Sequence, residues 1–330
     1  MIEQHRQIAP VATTLSPRAG DTLCASKANP VQPDFAANAD WDRELSAHHA
    51  ASFVAGDTTL LVCFTAVEQH HKRKNVGFAP DLARARGWSM LNLSTAKDDW
   101  YRDPAVFGIF DTLIDIAFFD QFETVLFYGA GMYGYAAAAF SVAALGAEVL
   151  LVAPQATLDP RRTGWDTRFP DAQGLEFANR YGFAPDMVEV AQGCYIVFDP
   201  SELMDAVHAS LFQGPNVLHL PCPGLGPNME KPLIDAGVLG PVLDSVAKGK
   251  FTAAEFAKLR RLRRKNGTYL RALSRRVDVK RTPLRVATIS LFAQAHAPNA
   301  YFTARLKQAL ERLDGQGKRP AWLRDVKCGD

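Results

Sequence analysis

The sequence has no Cys-x-x-Cys pair, no apolar leader at its start and no apolar run long enough to span a bilayer. Each absence excludes something. The five cysteines (Cys24, Cys63, Cys194, Cys222 and Cys328) are scattered and odd in number, which argues against a disulfide framework or a zinc site. Buried thiols in a reducing compartment fit better, so a cytoplasmic location is expected. The first ten residues, MIEQHRQIAP, contain no apolar core, and no secretory signal is expected there. The longest apolar stretch, about 136–153, is interrupted by Gly146 and Glu148 and reads as a buried helix followed by a buried strand. Internal repeats and low-complexity tracts are also lacking. The net charge is only +2, so average composition selects no class of partner.

What is present suits an ordinary globular chain. The 330 residues are 48% hydrophobic and 22% charged, enough for a sizeable core and one large domain with an extension. Charge is distributed unevenly. Residues 248–281 hold 13 Lys and Arg against Glu255 and Asp278, so a basic segment is attached to a net acidic remainder.

Local patterns divide the chain into three parts. Residues 1–50 are rich in Ala, Pro, Thr and Asp and are read as partly irregular, with a possible strand near 8–14. Between 51 and 228, strands alternate with helices, the signature of an α/β protein with a mostly parallel sheet. SFVAG and TTLLVCF flank Gly56-Asp57 and suggest a hairpin. Strands are expected near 88–94, 124–128, 147–154, 194–200 and 216–221. Helices are expected near 104–120, starting at Pro104, near 132–145, near 172–181 and after an N-cap at Ser201. His219 falls within a strand and is expected in the core. Residues 229–330 read as a helical, basic extension.

The most informative stretch is VLFYGAGMYGYAAAAF, residues 125–140. Gly129, Gly131 and Gly134 spell G-x-G-x-x-G, the turn that lets backbone amides approach a pyrophosphate at a helix N-terminus. Against a nucleotide site, the acid expected at the end of the next strand is missing, because Val152-Ala153-Pro154 stands there. The same stretch also fits the nucleophile elbow G-x-S-x-G, with Gly131 where the serine should be.

The segment FYGAGMYGYAAAAFSVAALGAEVLLVAPQ resembles Y-G-x-S-M-G-G-Y-A-A of esterase-like α/β-hydrolases found near bacterial surface-polysaccharide genes. Tyr128, Gly129, Met132, Gly134, Tyr135 and Ala136 carry the resemblance, which extends over roughly 55–228. It implies a doubly wound sheet of α/β-hydrolase type with Asp199 as the triad acid. The departures are as informative. Gly131 replaces the nucleophile, Tyr133 replaces a glycine, and the last strand is followed by Pro223-Gly224-Leu225-Gly226-Pro227, without histidine. Glycine can hold the strained elbow at little cost, so the turn persists without its chemistry. A Ser-His-Asp mechanism needs nucleophile and base within hydrogen-bond reach, so serine-esterase activity is not expected.

Three functions remain open. The first is a catalytically degenerate hydrolase that binds a small anionic ligand or a protein partner. Backbone amides at Gly129, Gly131 and Met132 would meet the ligand, with charge from His70, His71 and Arg161. The second is an enzyme with a rearranged mechanism using Asp199 or His208, the latter three residues from Asp205 on one helix. The third is a nucleotide-dependent enzyme built on Gly129, Gly131 and Gly134. No cofactor and no metal is expected, since adjacent His70 and His71 cannot share one face and lack a third ligand. Trp100 and Tyr101 suit either a pocket wall or the core. Cys222, at a strand end, is a buried thiol or a replacement nucleophile. KLRRLRRK, within the basic helix 252–281, suits the acidic body or a protein partner. Nucleic acid is disfavoured because no aromatic residues are interleaved with its charges.

Overall fold

A computed structural model describes residues 35–67, 77–249 and 251–326. The strand expected near 8–14 and the residues His70 and His71 lie outside them. The eight strands are β1 (Trp41–Glu44), β2 (His49–Val54), β3 (Thr59–Ala66), β4 (Ser89–Thr95), β5 (Thr124–Ala130), β6 (Glu148–Val152), β7 (Gly193–Phe198) and β8 (Val217–Pro221). They form one sheet in the order β1-β2-β4-β3-β5-β6-β7-β8. β2 runs antiparallel to both of its neighbours, whereas β4, β3, β5, β6, β7 and β8 are mutually parallel. This is the α/β-hydrolase order. It differs from the 3-2-1-4-5-6 order of the dinucleotide-binding fold, so the nucleotide reading of the glycine turn is set aside.

The interior strands are mostly apolar because both faces are covered. Leu60, Val62 and Phe64 of β3 join Phe127, Val149 and Ile196 in the core on one face. Leu61 and Cys63 join Leu126, Leu150 and Val197 on the other. Helices α2 (Pro104–Asp115) and α3 (Met132–Phe140) cover the first face. Asp103 caps α2 by accepting from the Ala105 amide at 2.8 Å, and Pro104 takes the first helical position. Helix α1 (Phe78–Arg86) and the later helix α8 (Leu239–Ala247) cover the second face. They are tied by a two-pronged pair in which Arg86 donates to both carboxylate oxygens of Asp244 at 2.8 Å.

The remaining helices are α4 (Pro160–Thr163), α5 (Ala184–Met187), α6 (Leu203–Leu211), α7 (Glu230–Asp235), α9 (Ala253–Leu259), α10 (Gly267–Arg275), α11 (Pro283–His296) and α12 (Ala300–Gly315). α11 and α12 share a small core of their own around Val286, Leu306, Leu310 and Leu313. Leu270, Ala293 and Phe302 attach α10 to it. Among the described residues no helix is long and apolar enough to cross a membrane.

Four local expectations are corrected. First, β2 and β3 do not form a hairpin, because β4 lies between them. Their short link steps across the start of β4. The Asp57 amide donates to the Gly87 carbonyl at 2.8 Å, and a Cβ on Gly56 would lie 2.5 Å from that carbonyl oxygen. Second, residues 172–181 are not one helix: a short 3-10 helix, Pro170–Gly174, ends within them and the rest is irregular. The buried Arg102 side chain donates to the backbone carbonyls of Glu176 (3.1 Å) and Arg180 (2.9 Å) and to the Asn179 side chain. Tyr135 donates to the Tyr181 carbonyl at 2.6 Å. These bonds tie the irregular stretch 176–181 to the body. Third, Ser201 is not a helix cap, because its hydroxyl donates to Asp199 Oδ1 at 2.6 Å, ahead of α6. Fourth, His219 is exposed, not core, because β8 is an edge strand. Its Nε2 lies 2.8 Å from the Ala209 carbonyl oxygen.

Arg102 also donates to the Tyr135 hydroxyl at 3.0 Å and stacks near Phe107 and Phe177. Arg102→Ala strands several buried acceptors at once and is expected to lower the unfolding free energy by about 3 kcal/mol. Urea denaturation checks this. A variant within about 0.5 kcal/mol of wild type would show that the 172–181 segment holds itself together.

Candidate functional site

The site is built on the turn between β5 and α3. A Cβ on Gly129 would lie 2.1 Å from the Tyr133 carbonyl oxygen, so strand and helix are in backbone contact there. A Cβ on Gly134 would meet Pro154 Cβ at 3.1 Å and the Gly129 oxygen at 3.2 Å. The first and third glycines are therefore required by close packing. The middle one differs. Gly131 has φ 56° and ψ −124°, the strained elbow conformation, and a Cβ there would meet only Gln155 Oε1 at 3.9 Å. Its amide donates to the Val152 carbonyl at 2.9 Å. Of the expected backbone donors, this leaves Met132, in the first turn of α3, where amides have no helical acceptor.

Above the turn lies a cavity of about 420 Å³. Its lining includes Gly131, Met132, Gln155, Arg168, Asp205 and Glu230, together with the polar Tyr133, Asn228 and Lys231. Gln155 is 4% exposed, and among the described residues its Oε1 has no hydrogen-bond partner. Its Nε2 donates to the Ala153 carbonyl at 3.4 Å, which leaves Oε1 as the free end of the amide. Ala153 itself has φ 45°, a left-handed strain for a residue other than glycine. The Tyr128 hydroxyl donates to Glu230 Oε1 at 2.6 Å. Burial pushes the Glu230 carboxyl above its usual range, against the opposing pull of that bond.

His208 lies behind this cavity and is fully buried. Its Nδ1 accepts from the Ala156 amide at 3.1 Å, so Nε2 carries the proton and donates to Asp166 Oδ2 at 2.9 Å. Burial lowers the His208 pKa despite the Asp166 carboxylate, which keeps the ring neutral. Burial also pushes the Asp166 carboxyl up, but hydrogen bonds from Arg168 and His208 outweigh it and bring it to about 2. Arg168 continues the network by donating to Asp205 Oδ1 at 2.6 Å. Asp205 and His208 share no hydrogen bond and are joined through Arg168 and Asp166.

Asp199 stands just beyond β7 with both oxygens occupied. Oδ2 accepts from the amides of Gly224, Leu225 and Gly226 at 2.7, 2.8 and 2.9 Å. Oδ1 accepts from the Ser201 amide at 2.9 Å and from its hydroxyl. Burial pushes the carboxyl up, but the Ser201 and backbone bonds outweigh it and hold it below the usual carboxylate range. The loop where the resemblance would place a histidine is thus folded around Asp199, with Gly224 at φ 95° and Gly226 at φ 79°. Asp199 and His208 share no hydrogen bond.

The other expected residues are dispersed. The Arg161 side chain is 70% exposed and pairs with Asp159, the cap of its own short helix, outside the cavity lining. Trp100 and Tyr101 are core residues. Trp100 packs edge-on against Tyr135, and Tyr101 donates to the Thr65 carbonyl at 2.9 Å. Cys222 is fully buried, with Arg263 donating to its sulfur at 2.5 Å. Burial raises its thiol pKa despite Arg263 and Arg260. A protonated, buried thiol is a poor nucleophile. Among the described residues no cluster of three His, Cys, Asp or Glu could hold a metal ion. Sequence reasoning did not find Gln155 or Glu230. Their only signal is position, just past the end of β6 and at the start of α7.

No protein-family model matches the sequence, and no curated protein matches it. Solved structures with a similar arrangement include Est1E from Butyrivibrio proteoclasticus, at 12% identity over 66% of this chain and 99% of that one, with a TM-score of 0.41. The capsule O-acetyltransferase of Neisseria meningitidis serogroup A is 11% identical over 55% and 85%, with a TM-score of 0.39. The glycosylation associate protein (Gap123) complex from Streptococcus agalactiae is 14% identical over 55% and 42%, also at 0.39. Likeness this distant says nothing finer than fold, and the fold stands on its own strand order.

Two predictions follow from this geometry. Asp199→Asn turns an NH₂ or a weaker acceptor toward the loop amides and should cost about 2 kcal/mol at pH 7. The folded-state pKa is depressed, so the carboxylate stabilises the fold above the unfolded value and loses that effect as pH falls through the folded value. The gap between variant and wild type should therefore narrow below about pH 4, as read by urea unfolding across pH. A gap independent of pH would rule out the ionised carboxylate as its source. Gly131→Ser should fold, since the space is open, and lose about 1–2 kcal/mol to backbone strain. It should leave 4-nitrophenyl acetate hydrolysis at the buffer rate. Serine-dependent turnover would reveal a general base that the described residues do not supply.

Proposed function

We propose that this chain is a catalytically silent α/β-hydrolase-fold protein that binds a small ligand in the cavity above Gly131. One observation carries the reading. The position from which a nucleophile would act has no side chain, and among the described residues the nearest side-chain atom to it is Gln155 Oε1, which has no hydrogen-bond partner there. Asp199 and His208, the residues available to a rearranged mechanism, have their polar atoms engaged within the protein. Either would have to give up part of the fold to accept a proton from water or a ligand.

The lining indicates the ligand's chemistry. The Met132 amide at the start of α3 and the exposed Lys231 suit an acidic group. Gln155 Oε1 needs a donor such as a hydroxyl. Asp205 is matched by Arg168, and Glu230 accepts from Tyr128, which limits the repulsion these acids offer. A small hydroxyl-bearing acid meets both demands. β3 and β5 are adjacent and parallel, so the chain leaving β3 starts at the elbow's edge of the sheet. His70 and His71 lie outside the described residues. Arg161 would join only by leaving Asp159.

A second reading is a protein partner for the basic segment. Arg261, Arg264 and Lys265 are exposed beside Leu262, which is 45% exposed, while Arg263 and Arg260 hold the segment to the body.

Thermal unfolding with glucuronate, galacturonate and glucose 6-phosphate tests the main reading. A ligand at 100 times its Kd should add about 2.7 kcal/mol of stability to the wild type, and none to Gln155→Leu. Stabilisation by NAD(P) or S-adenosyl methionine, or ester hydrolysis abolished by Gln155→Leu, would overturn it.

A further inference from the structure

A second cavity, of about 780 Å³, opens between the loop after β8 and helices α10 to α12. Its lining contains three arginines from one short stretch: Arg271 and Arg275 on α10, and Arg276 at its C-cap. Arg271 and Arg275 are four residues apart and so lie on one helix face, where like charges destabilise an isolated helix. Among the described residues none of the three forms an ion pair with a carboxylate. Arg276 donates to the Ser201 hydroxyl at 3.2 Å, and Arg271 lies 5.4 Å from the centre of the Tyr301 ring. Four other arginines are matched: Arg86 and Arg168 by carboxylates, Arg102 and Arg305 by backbone carbonyls. Glu202 is the one carboxylate on the lining. The amides of Gly224, Leu225 and Gly226 face Asp199 instead, so guanidinium groups are the main donors here.

We propose that this cavity binds a small molecule carrying two or more phosphate groups. Three planar guanidinium forks against one carboxylate leave an excess of two positive charges, more than a monoanion neutralises. The volume falls within the range of small-molecule pockets and far exceeds the needs of a single phosphate. Leu225, Ala297, Pro298 and Phe302 supply an apolar wall for an organic portion. This site is separate from the cavity above Gly131, with which it shares no lining residue.

Calorimetric titration of the full chain with inorganic pyrophosphate, ADP and citrate tests the assignment. Pyrophosphate should bind at one site and at least about tenfold more weakly to Arg271→Gln/Arg275→Gln. Gln155→Leu should leave its affinity unchanged, so failure at the elbow cavity and failure here are distinguishable. ADP tighter than pyrophosphate assigns an organic polyphosphate lying on the Phe302 wall, and equal affinities assign the inorganic ion. The proposal is overturned if neither phosphate ligand saturates, if the double variant binds as wild type while unfolding at the same temperature, or if citrate binds as tightly as pyrophosphate.

Discussion

The backbone contact between β5 and α3 is the constraint from which the rest of the architecture follows. With no side chain at Gly129, the helix starts directly against the strand it has just left. That proximity fixes the direction of α3 and lays Ala136, Ala137, Ala138 and Ala139 on their neighbours, each fully buried. Larger residues at those positions would hold the helix away from the sheet. The same contact forces the intervening residue into a left-handed conformation, and Gly131 takes it without the steric penalty of a Cβ. The elbow is thus a requirement of packing, and it persists whether or not a nucleophile sits on it.

Asp199 and His208 each tie separate segments of the fold together. Asp199 gathers three successive amides of the following loop and so determines where the last strand turns away from the sheet. His208 joins the amide of Ala156 to the Asp166 carboxylate, and Arg168 extends that link to Asp205. A neutral imidazole and a paired guanidinium carry these buried acids with their hydrogen bonds complete. Such a network rigidifies the back of the elbow cavity and leaves Gln155 as its unmatched polar group.

Much of the sheet was legible because parallel strands buried on two faces leave long apolar runs, and β5, β6 and β7 all show them. The glycine turn was legible as a turn but ambiguous in kind, since steric demand and phosphate binding select the same residue. The Gly56-Asp57 link shows the limit of local reading. A hairpin and a step across an intervening strand use the same turn residues, and only long-range pairing separates them. α1 escaped notice because FAPDLARAR is short, holds a proline and three charged residues, and buries only Ala79, Pro80, Leu82 and Ala83. The 172–181 segment was misread for a nonlocal reason: its conformation is set by Arg102, some seventy residues earlier. Gln155 carries no signal beyond its position past β6, because an unpaired amide is a property of its surroundings.

The step across β4 also constrains how the chain assembles. β2 and β3 are joined by a link too short to rearrange, yet they are held one strand apart, about 10 Å, with the space between them reserved for a later segment. During synthesis both strands emerge before β4, so β3 presents an unpaired edge that is apolar on both faces. Insertion of β4 closes that slot from within and pairs on both sides at once. The order of events is thereby restricted: this half of the sheet cannot grow outward strand by strand, and until β4 arrives its open slot is the place where a growing chain is most exposed to pairing with the wrong partner.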